Sequence, residues 1–165
     1  MTKGAAGGGM AKQSTARLSQ SARSVERALA LHREGLLDEA NRLYADVLAG
    51  DPHHFDALHL SGMLSHQQGR SADALRMIGA ALKAKPGAAD ARMNYGVILL
   101  ALERHEEALA SFDQVLTLRG GDAVLYYNRG NALKSLDRNE EALASFDRAL
   151  ALAPDLAAAH HNRGS

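Results

Sequence analysis

The chain contains no cysteine and no tryptophan, and aromatic residues make up only 4% of it. Without cysteine there can be no disulfide, no thiolate nucleophile and no cysteine-bound zinc. With so few large rings and so much alanine and leucine, we expect a core of small, closely packed helix contacts. The composition therefore removes cysteine-dependent chemistry and favours helix packing over an aromatic core.

An excess of charge and a long apolar segment are also lacking. The 19 basic and 19 acidic residues give a formal net charge of zero, so no overall field favours nucleic acid or a membrane surface as a partner. The longest strongly apolar run, residues 97–102, is far shorter than the roughly 20 residues that cross a bilayer. The N-terminus lacks the apolar segment of a secretory signal. We expect a cytoplasmic protein that binds neither nucleic acid nor membrane.

What the sequence does have is an internal repeat with a period of 34 residues. The segment EEALASFD at 106–113 recurs unchanged at 140–147, and NRG at 128–130 recurs at 162–164. Extending this period backward needs no insertion or deletion. The units are 21–54, 55–88, 89–122 and 123–156, followed by a partial unit at 157–165.

Residues 1–20 precede the first unit and differ from it in composition. They contain Lys3, Lys12 and Arg17 but no acidic residue, together with several glycines, alanines and serines. Such a segment has too little apolar surface to bury for a stable fold. We therefore expect a disordered, basic tail.

Equivalent positions of the units hold the residues that packed helix pairs require. The eighth position is glycine in the second, third and fourth units, at Gly62, Gly96 and Gly130. Glycine inside a helix costs about 1 kcal/mol relative to alanine, so its recurrence predicts that another helix presses on the backbone there. The pattern predicts first helices near 21–34, 55–68, 89–102 and 123–136, and second helices near 37–49, 72–84, 106–118 and 140–152.

These recurring residues resemble the tetratricopeptide repeat, which has a small residue at position 8, alanine at 20, an aromatic residue at 24, alanine at 27 and proline at 32. The resemblance covers residues 21–165. It implies an all-α solenoid of antiparallel helix pairs wound into a right-handed superhelix. It also implies a protein–protein interaction scaffold, without catalytic residues or cofactors, that binds an extended polypeptide in its concave groove.

In this family the first helices line the groove, which assigns a set of groove residues to this chain. They are His59, Met63, His66 and Gln67 in the second unit, Asp90, Met93 and Val97 in the third, and Tyr127, Asn131 and Lys134 in the fourth. This surface is mixed and nearly neutral. It is unlike the basic, aromatic-rich track that binds single-stranded nucleic acid.

Position 6 adds a row of amides, namely Asn94, Asn128 and Asn162. The row looks like the asparagine ladder of O-linked N-acetylglucosamine transferases, in which side-chain amides hold an extended peptide by its backbone. Residues 58–68 also resemble the N-terminal arms of bacterial proteins of that kind. Two alternatives stay open. The asparagines could only support packing, or the chain could be the substrate-recognition fragment of a larger glycosyltransferase-like enzyme.

Three histidines raise the question of a metal site. His59 and His66 are seven residues apart, hence on one helical face, and His32 holds the position of His66 in the preceding unit. Zinc bound by histidine also needs further ligands and partners that orient the rings, and no carboxylate pairing is evident. We interpret the histidines as polar groove residues and expect no metal. The sequence also contains no phosphate-binding loop or nucleophile motif.

The partial unit at 157–165 covers little of the apolar face expected on the unit before it. Repeat arrays usually end in a helix with a polar outer face. We therefore expect either that the chain is the N-terminal part of a longer protein or that it self-associates through this uncapped C-terminal face.

Overall fold

A computed structural model describes residues 6–163, and all regular structure within that range is α-helical. The helices are α1 (Ala6–Arg33), α2 (Leu37–Gly50), α3 (Phe55–Gln67), α4 (Ser71–Ala84), α5 (Ala89–Ala101), α6 (His105–Arg119), α7 (Ala123–Ser135), α8 (Asn139–Leu152) and α9 (Ala157–Arg163). Each packs chiefly on its neighbours in sequence, in the pairs α1–α2, α3–α4, α5–α6 and α7–α8, with α9 on α8. The all-α solenoid of helix pairs expected from the sequence is confirmed.

The two helices of each pair meet at a tight turn whose central residue is left-handed. This residue, at position 15 of its unit, is Gly35, Gly69, Glu103 or Asp137, with φ of 81°, 79°, 58° and 57°. The next residue closes a hydrogen bond to a carbonyl five residues back, as in Arg104 N to Leu99 O at 2.9 Å. This is the geometry that ends many helices. Glycine adopts it without strain, whereas a residue with a Cβ does not.

Three of the four pairs, α3–α4, α5–α6 and α7–α8, have a large side chain packed tightly against a glycine. A Cβ placed on Gly62, Gly96 or Gly130 would lie 2.6, 2.6 and 2.5 Å from Ile78 Cγ1, Phe112 Cε1 and Phe146 Cε1. These three side chains are buried, and each holds position 24 of the unit, on its second helix. The prediction that a helix presses on the backbone at position 8 is confirmed.

The N-terminal segment differs from the sequence expectation. Residues 1–20 are expected to be a disordered tail, but α1 begins at Ala6, so residues 6–20 extend the first helix. The Arg17 guanidinium donates to the main-chain oxygen of Gly50 at 2.6 Å. Carbonyls at the end of a helix lack partners within that helix, so this bond ties the extension to α2. Residues 1–5 lie outside the described part of the chain.

The first and second helices form two layers. Neighbouring first helices contact one another, α1 with α3, α3 with α5 and α5 with α7, whereas no neighbouring second helices have comparable contact within residues 6–163. The first helices therefore lie on the inner side of the curve. In the described part of the chain, no helix is long and apolar enough to cross a bilayer.

Candidate functional site

The site residues expected from the sequence lie along one surface of the inner layer. They are His59, Met63 and His66 on α3, Asn94 on α5, Tyr127, Asn128, Asn131 and Lys134 on α7, and Asn162 on α9. Every one of these side chains is half-buried. This set, called the inner surface below, is therefore neither closed into the core nor fully solvated.

Hydrogen bonds join side chains of neighbouring first helices across the inner surface. Asn94 Nδ2 donates to His59 Nε2 at 2.9 Å. In the same register, Asn162 Nδ2 donates to Tyr127 Oη at 3.4 Å and to Asn131 Oδ1 at 2.7 Å. The amide at position 6 thus reaches position 5 of the preceding unit. Asn94 and Asn162 therefore have a packing role between units.

The third amide, Asn128, has a different environment. Position 5 of the preceding unit is Met93, whose thioether is a weak acceptor. Among the described residues, the Asn128 side chain has no hydrogen-bond partner. Its two donors and one carbonyl are therefore available to a ligand. The expectation that Met93 lines the groove is wrong, because its side chain is only 8% exposed and belongs to the core.

His59 occupies a partly desolvated position near two carboxylates. Its ring centroid lies 5.8 Å from that of Phe55. Burial lowers the pKa of His59, and the nearby Asp56 and Asp90 carboxylates partly oppose this shift. Burial disfavours the charged ring because the low-polarity surroundings solvate it poorly. His59 is therefore a neutral hydrogen-bonding group at physiological pH.

The three histidines considered for a metal site are each engaged elsewhere. His32 Nε2 donates to Gln67 Oε1 at 2.7 Å, and His66 Nδ1 is 3.0 Å from Ser71 Oγ, while His59 is bonded as described above. Within residues 6–163, no three histidine, aspartate or glutamate side chains converge as a metal site would require. The geometry favours polar bridges over a zinc centre.

Acidic residues at the starts of α6 and α8 are held in ion pairs. The Arg104 guanidinium donates to both carboxylate oxygens of Glu107, at 2.6 and 2.7 Å, and Arg138 donates to both of Glu141 at 2.7 Å. The hydrogen bond from Arg104 lowers the pKa of Glu107. A carboxylate held ionised in this way is a poor general acid. We therefore interpret these repeated ion pairs as structural contacts in the first turns of α6 and α8.

A second set of contacts between units was not anticipated from the sequence. Arg129 Nε donates to Asp113 Oδ1 of the preceding unit, and its Nη1 donates to Ser145 Oγ of its own unit, both at 2.7 Å. Arg163 Nε donates in the same register to Asp147 Oδ1. Both arginines hold position 7 and both aspartates position 25 of the unit before. This joint recurrence, visible in the sequence, is the signal that could have revealed the contact.

Comparison with protein families agrees with the repeat geometry. Three family models, each described as tetratricopeptide repeat, match residues 31–93, 66–123 and 123–156. Taken together, these matches extend from residue 31 to residue 156. No curated protein matches the chain.

Solved structures with the same architecture support the fold. MamA from Desulfovibrio magneticus has a TM-score of 0.82 at 22% identity, over 87% of this chain and 81% of its own. YrrB, described as a TPR protein with an unusual peptide-binding site, has a TM-score of 0.77 at 22% identity, over 84% and 71%. PilF of Pseudomonas aeruginosa has 0.79 at 19% identity, over 90% and 68%. At these identities the likeness establishes the fold alone.

Proposed function

Because the chain belongs to the tetratricopeptide repeat family, we propose that it is a non-catalytic scaffold that binds an extended polypeptide segment of another protein along the inner surface. The observation that carries this proposal is the row of amides Asn94, Asn128 and Asn162 on consecutive first helices. A side-chain amide both donates and accepts hydrogen bonds, so it can satisfy a peptide group of any sequence. Such a row therefore suits recognition of a peptide backbone.

The spacing of the row matches an extended chain. Packed helices lie about 8–10 Å apart, and an extended peptide advances about 3.3 Å per residue. Successive asparagines would then contact about every third residue of the ligand. Asn128 is the central contact, because its neighbours Asn94 and Asn162 already donate one hydrogen each, or more, to other units. The amide carbonyls of those neighbours remain as acceptors.

The proposal is tested by peptide binding. Immobilised ten-residue peptides are screened with the purified chain, and the affinity of each retained peptide is measured by fluorescence anisotropy. Asn128→Ala should weaken binding by about tenfold, because the loss of two hydrogen bonds amounts to about 1–2 kcal/mol. The control is Gln114→Ala, which removes an exposed amide from the outer helix α6. Equal affinities for the parent and Asn128→Ala would contradict the proposal.

A second function uses the same asparagines. In it, the chain is the substrate-recognition part of a larger glycosyltransferase-like enzyme, and the bound peptide is the substrate to be modified. Both functions need the inner surface, so binding alone does not distinguish them. The complete coding sequence does: a catalytic domain in the same protein favours recognition for an enzyme, and its absence favours a free-standing adaptor.

Self-association through the C-terminal helices is a further part of the proposal. Leu143 on α8 is 43% exposed, whereas Leu109, its equivalent on α6, is 6% exposed. Leu143 lines an open concavity on this face together with Ala142 and Phe146, and exposed apolar surface of this kind favours contact with a second copy. Leu143→Glu should shift sedimentation toward the monomer, whereas Leu36→Glu, which alters a comparably exposed leucine outside this face, should not. A parent chain that stays monomeric at all concentrations would refute this part.

A further inference from the structure

An ion pair between positions 25 and 7 holds the last two junctions between units, whereas the α4–α5 junction is one of two that lack it. At the α6–α7 junction, positions 25 and 7 are Asp113 and Arg129, 2.7 Å apart between Oδ1 and Nε. At the α4–α5 junction, the same two positions hold Gly79 and Tyr95. A Cβ placed on Gly79 would lie 3.5 Å from Cε2 of Tyr95, which is ordinary van der Waals contact. The Tyr95 ring therefore packs on Gly79 at the place where the α6–α7 junction has an exposed carboxylate and a half-buried guanidinium.

This exchange is accompanied by a cleft of about 400 Å³ between α4 and α5. The residues that line it are Leu75, Arg76, Gly79, Ala80, Lys83 and Tyr95. The smallest side chains and the ring form an apolar floor. The rim carries two cations and no acidic residue. This space is called the α4–α5 cleft, and it shares no residue with the inner surface.

The rim of the α4–α5 cleft has a local excess of positive charge. Arg76 Nη2 is 2.7 Å from Asp73 Oδ1, but Arg70 Nε also lies 3.8 Å from Oδ2 of the same carboxylate. Lys83 is exposed and has no ion-pair partner in the part of the chain that the structure describes. Arg70 and Arg76 therefore share one carboxylate, and Lys83 adds an unpaired positive charge within the described residues. At the α6–α7 junction, in contrast, the carboxylate that balances Arg129 belongs to the chain itself.

We propose that the α4–α5 cleft binds an acidic segment of a partner protein. A carboxylate of that segment pairs with Lys83 and Arg76, and a neighbouring apolar side chain packs on the face of Tyr95. The partner thus supplies an anion to a cleft that, within the described residues, no acidic residue of the chain lines. Charge complementarity of this kind selects the partner and accelerates its association more than it adds affinity. Because this cleft and the inner surface are separate, one scaffold can hold two segments at once.

The cleft is tested with a defined probe, a ten-residue peptide of alternating glutamate and leucine, with a lysine–leucine peptide for comparison. Chemical-shift changes are followed on the ¹⁵N-labelled full chain. Saturable shifts are expected at the Gly79 and Ala80 amides with the acidic peptide only, and Asn128 on the inner surface serves as the internal reference. No saturable shift at the cleft, or equal shifts across the molecule, would overturn the proposal.

Two variants make the test specific. Lys83→Glu should weaken binding of the acidic peptide by about tenfold, the equivalent of one charge-assisted hydrogen bond. The matched control is Arg42→Glu, which reverses an exposed cation on the outer helix α2 and should leave binding unchanged. Equal losses in both variants would mean that the peptide responds only to net charge, and would overturn the proposal.

A double variant separates loss of the cleft from loss of the fold. Gly79→Asp with Tyr95→Arg installs the residues of the α6–α7 junction. It should keep the helical circular dichroism and the thermal midpoint of the parent, because the graft reproduces a pair that the same chain already uses. Binding of the acidic peptide should be lost, since the double substitution fills the floor of the cleft at Gly79 and removes the Tyr95 ring on which the apolar side chain of the peptide packs. A folded double variant that binds like the parent would contradict the proposal.

Discussion

The side-chain amide of Asn94 donates a hydrogen bond to Nε2 of His59, 2.9 Å away on the preceding first helix. An accepting ring nitrogen carries no proton, so this bond requires neutral His59 with its proton on Nδ1. Burial lowers the pKa of the same ring. The hydrogen bond and the burial therefore favour the same protonation state, and protonation of His59 removes a link between the second and third units.

The His59 bridge predicts a pH dependence of stability. Because the folded-state pKa lies below the usual 6.5, the unfolded chain binds more protons between the two values. The contribution to the free energy of unfolding is complete above about pH 6.5 and is lost as the pH falls through the folded-state pKa. In His59→Gln, the side-chain oxygen accepts the same bond without titrating. Its thermal midpoint should therefore fall less than that of the parent between about pH 7.5 and pH 5.

The chain has seven other histidines, so the comparison needs a control. His53→Gln replaces an exposed histidine in the connection before α3 and should keep the pH dependence of the parent. If the thermal midpoints of His59→Gln and the parent fall by the same number of degrees, protonation of His59 does not contribute to the pH dependence of stability.

Two glycines inside helices, Gly96 and Gly79, predict opposite effects of alanine substitution. A Cβ at position 96 would lie 2.6 Å from Phe112 Cε1, and such overpacking costs about 1–3 kcal/mol. This cost exceeds the gain of about 1 kcal/mol in helix propensity, so Gly96→Ala should lower the free energy of unfolding. Gly79 also lies inside a helix, but its added Cβ meets only an ordinary contact at 3.5 Å. Gly79→Ala should therefore stabilise the chain by up to about 1 kcal/mol.

Urea denaturation of the two variants measures this contrast. The same glycine-to-alanine change should lower the free energy of unfolding at position 96 and raise it at position 79. Such a contrast excludes a general effect of replacing glycine by alanine. Stabilisation by Gly96→Ala would mean that the Phe112 ring can move aside without loss of packing.

The left-handed turns predict a stabilising substitution. Glu103 has a φ of 58° and an exposed side chain, and a non-glycine residue in this region costs about 1–3 kcal/mol. Glycine relieves that strain but loses more backbone entropy on folding. Glu103→Gly should raise the free energy of unfolding by about 0.5–1 kcal/mol. Asp137→Gly should gain less, because aspartate tolerates this conformation better.

The reverse change supplies the control for these turns. Gly69, with a φ of 79°, should lose stability on substitution by alanine. Chemical denaturation ranks the three variants by their free energy of unfolding. A destabilised Glu103→Gly would show that the Glu103 side chain stabilises the chain by more than its backbone strain costs.

The two classes of asparagine predict different losses of stability. Asn94→Ala leaves His59 Nε2 without its donor and should cost about 1 kcal/mol. Asn128, without a side-chain partner in the described part of the chain, should tolerate alanine within about 0.5 kcal/mol. Thermal unfolding measures both. Equal losses would assign Asn128 a packing role and weaken its assignment as the central peptide contact.

The sequence predicts well what is decided inside one unit. The 34-residue period predicts the ends of the helices to within a few residues, except for the start of α1. The recurrence of Gly96 and its equivalents predicted the pressed backbone, because glycine in a helix needs a compensating contact and the large side chain of Phe112 lies in the same unit. Both features depend on local helical geometry, which the period reveals.

Contacts between units were harder to predict. The Asn94–His59 bond depends on how far each helix pair is rotated and shifted against the next, and the repeat period does not specify that offset. The same offset buries Met93, which its position alone assigns to the groove. The extension of α1 was missed because glycine content argued against a helix, whereas the Arg17 bond to Gly50 supports one.

Because units contact chiefly their neighbours, the array behaves under tension as a series of springs, in which every junction carries the full load. The junctions differ in the contacts that hold them. Salt screens the Arg129–Asp113 ion pair, so the α6–α7 junction should become easier to stretch as ionic strength rises. The α4–α5 junction, where the Tyr95 ring packs on Gly79, has no such ion pair to screen. The stiffness of the chain should therefore vary along its length, and ionic strength should set which segment stretches first.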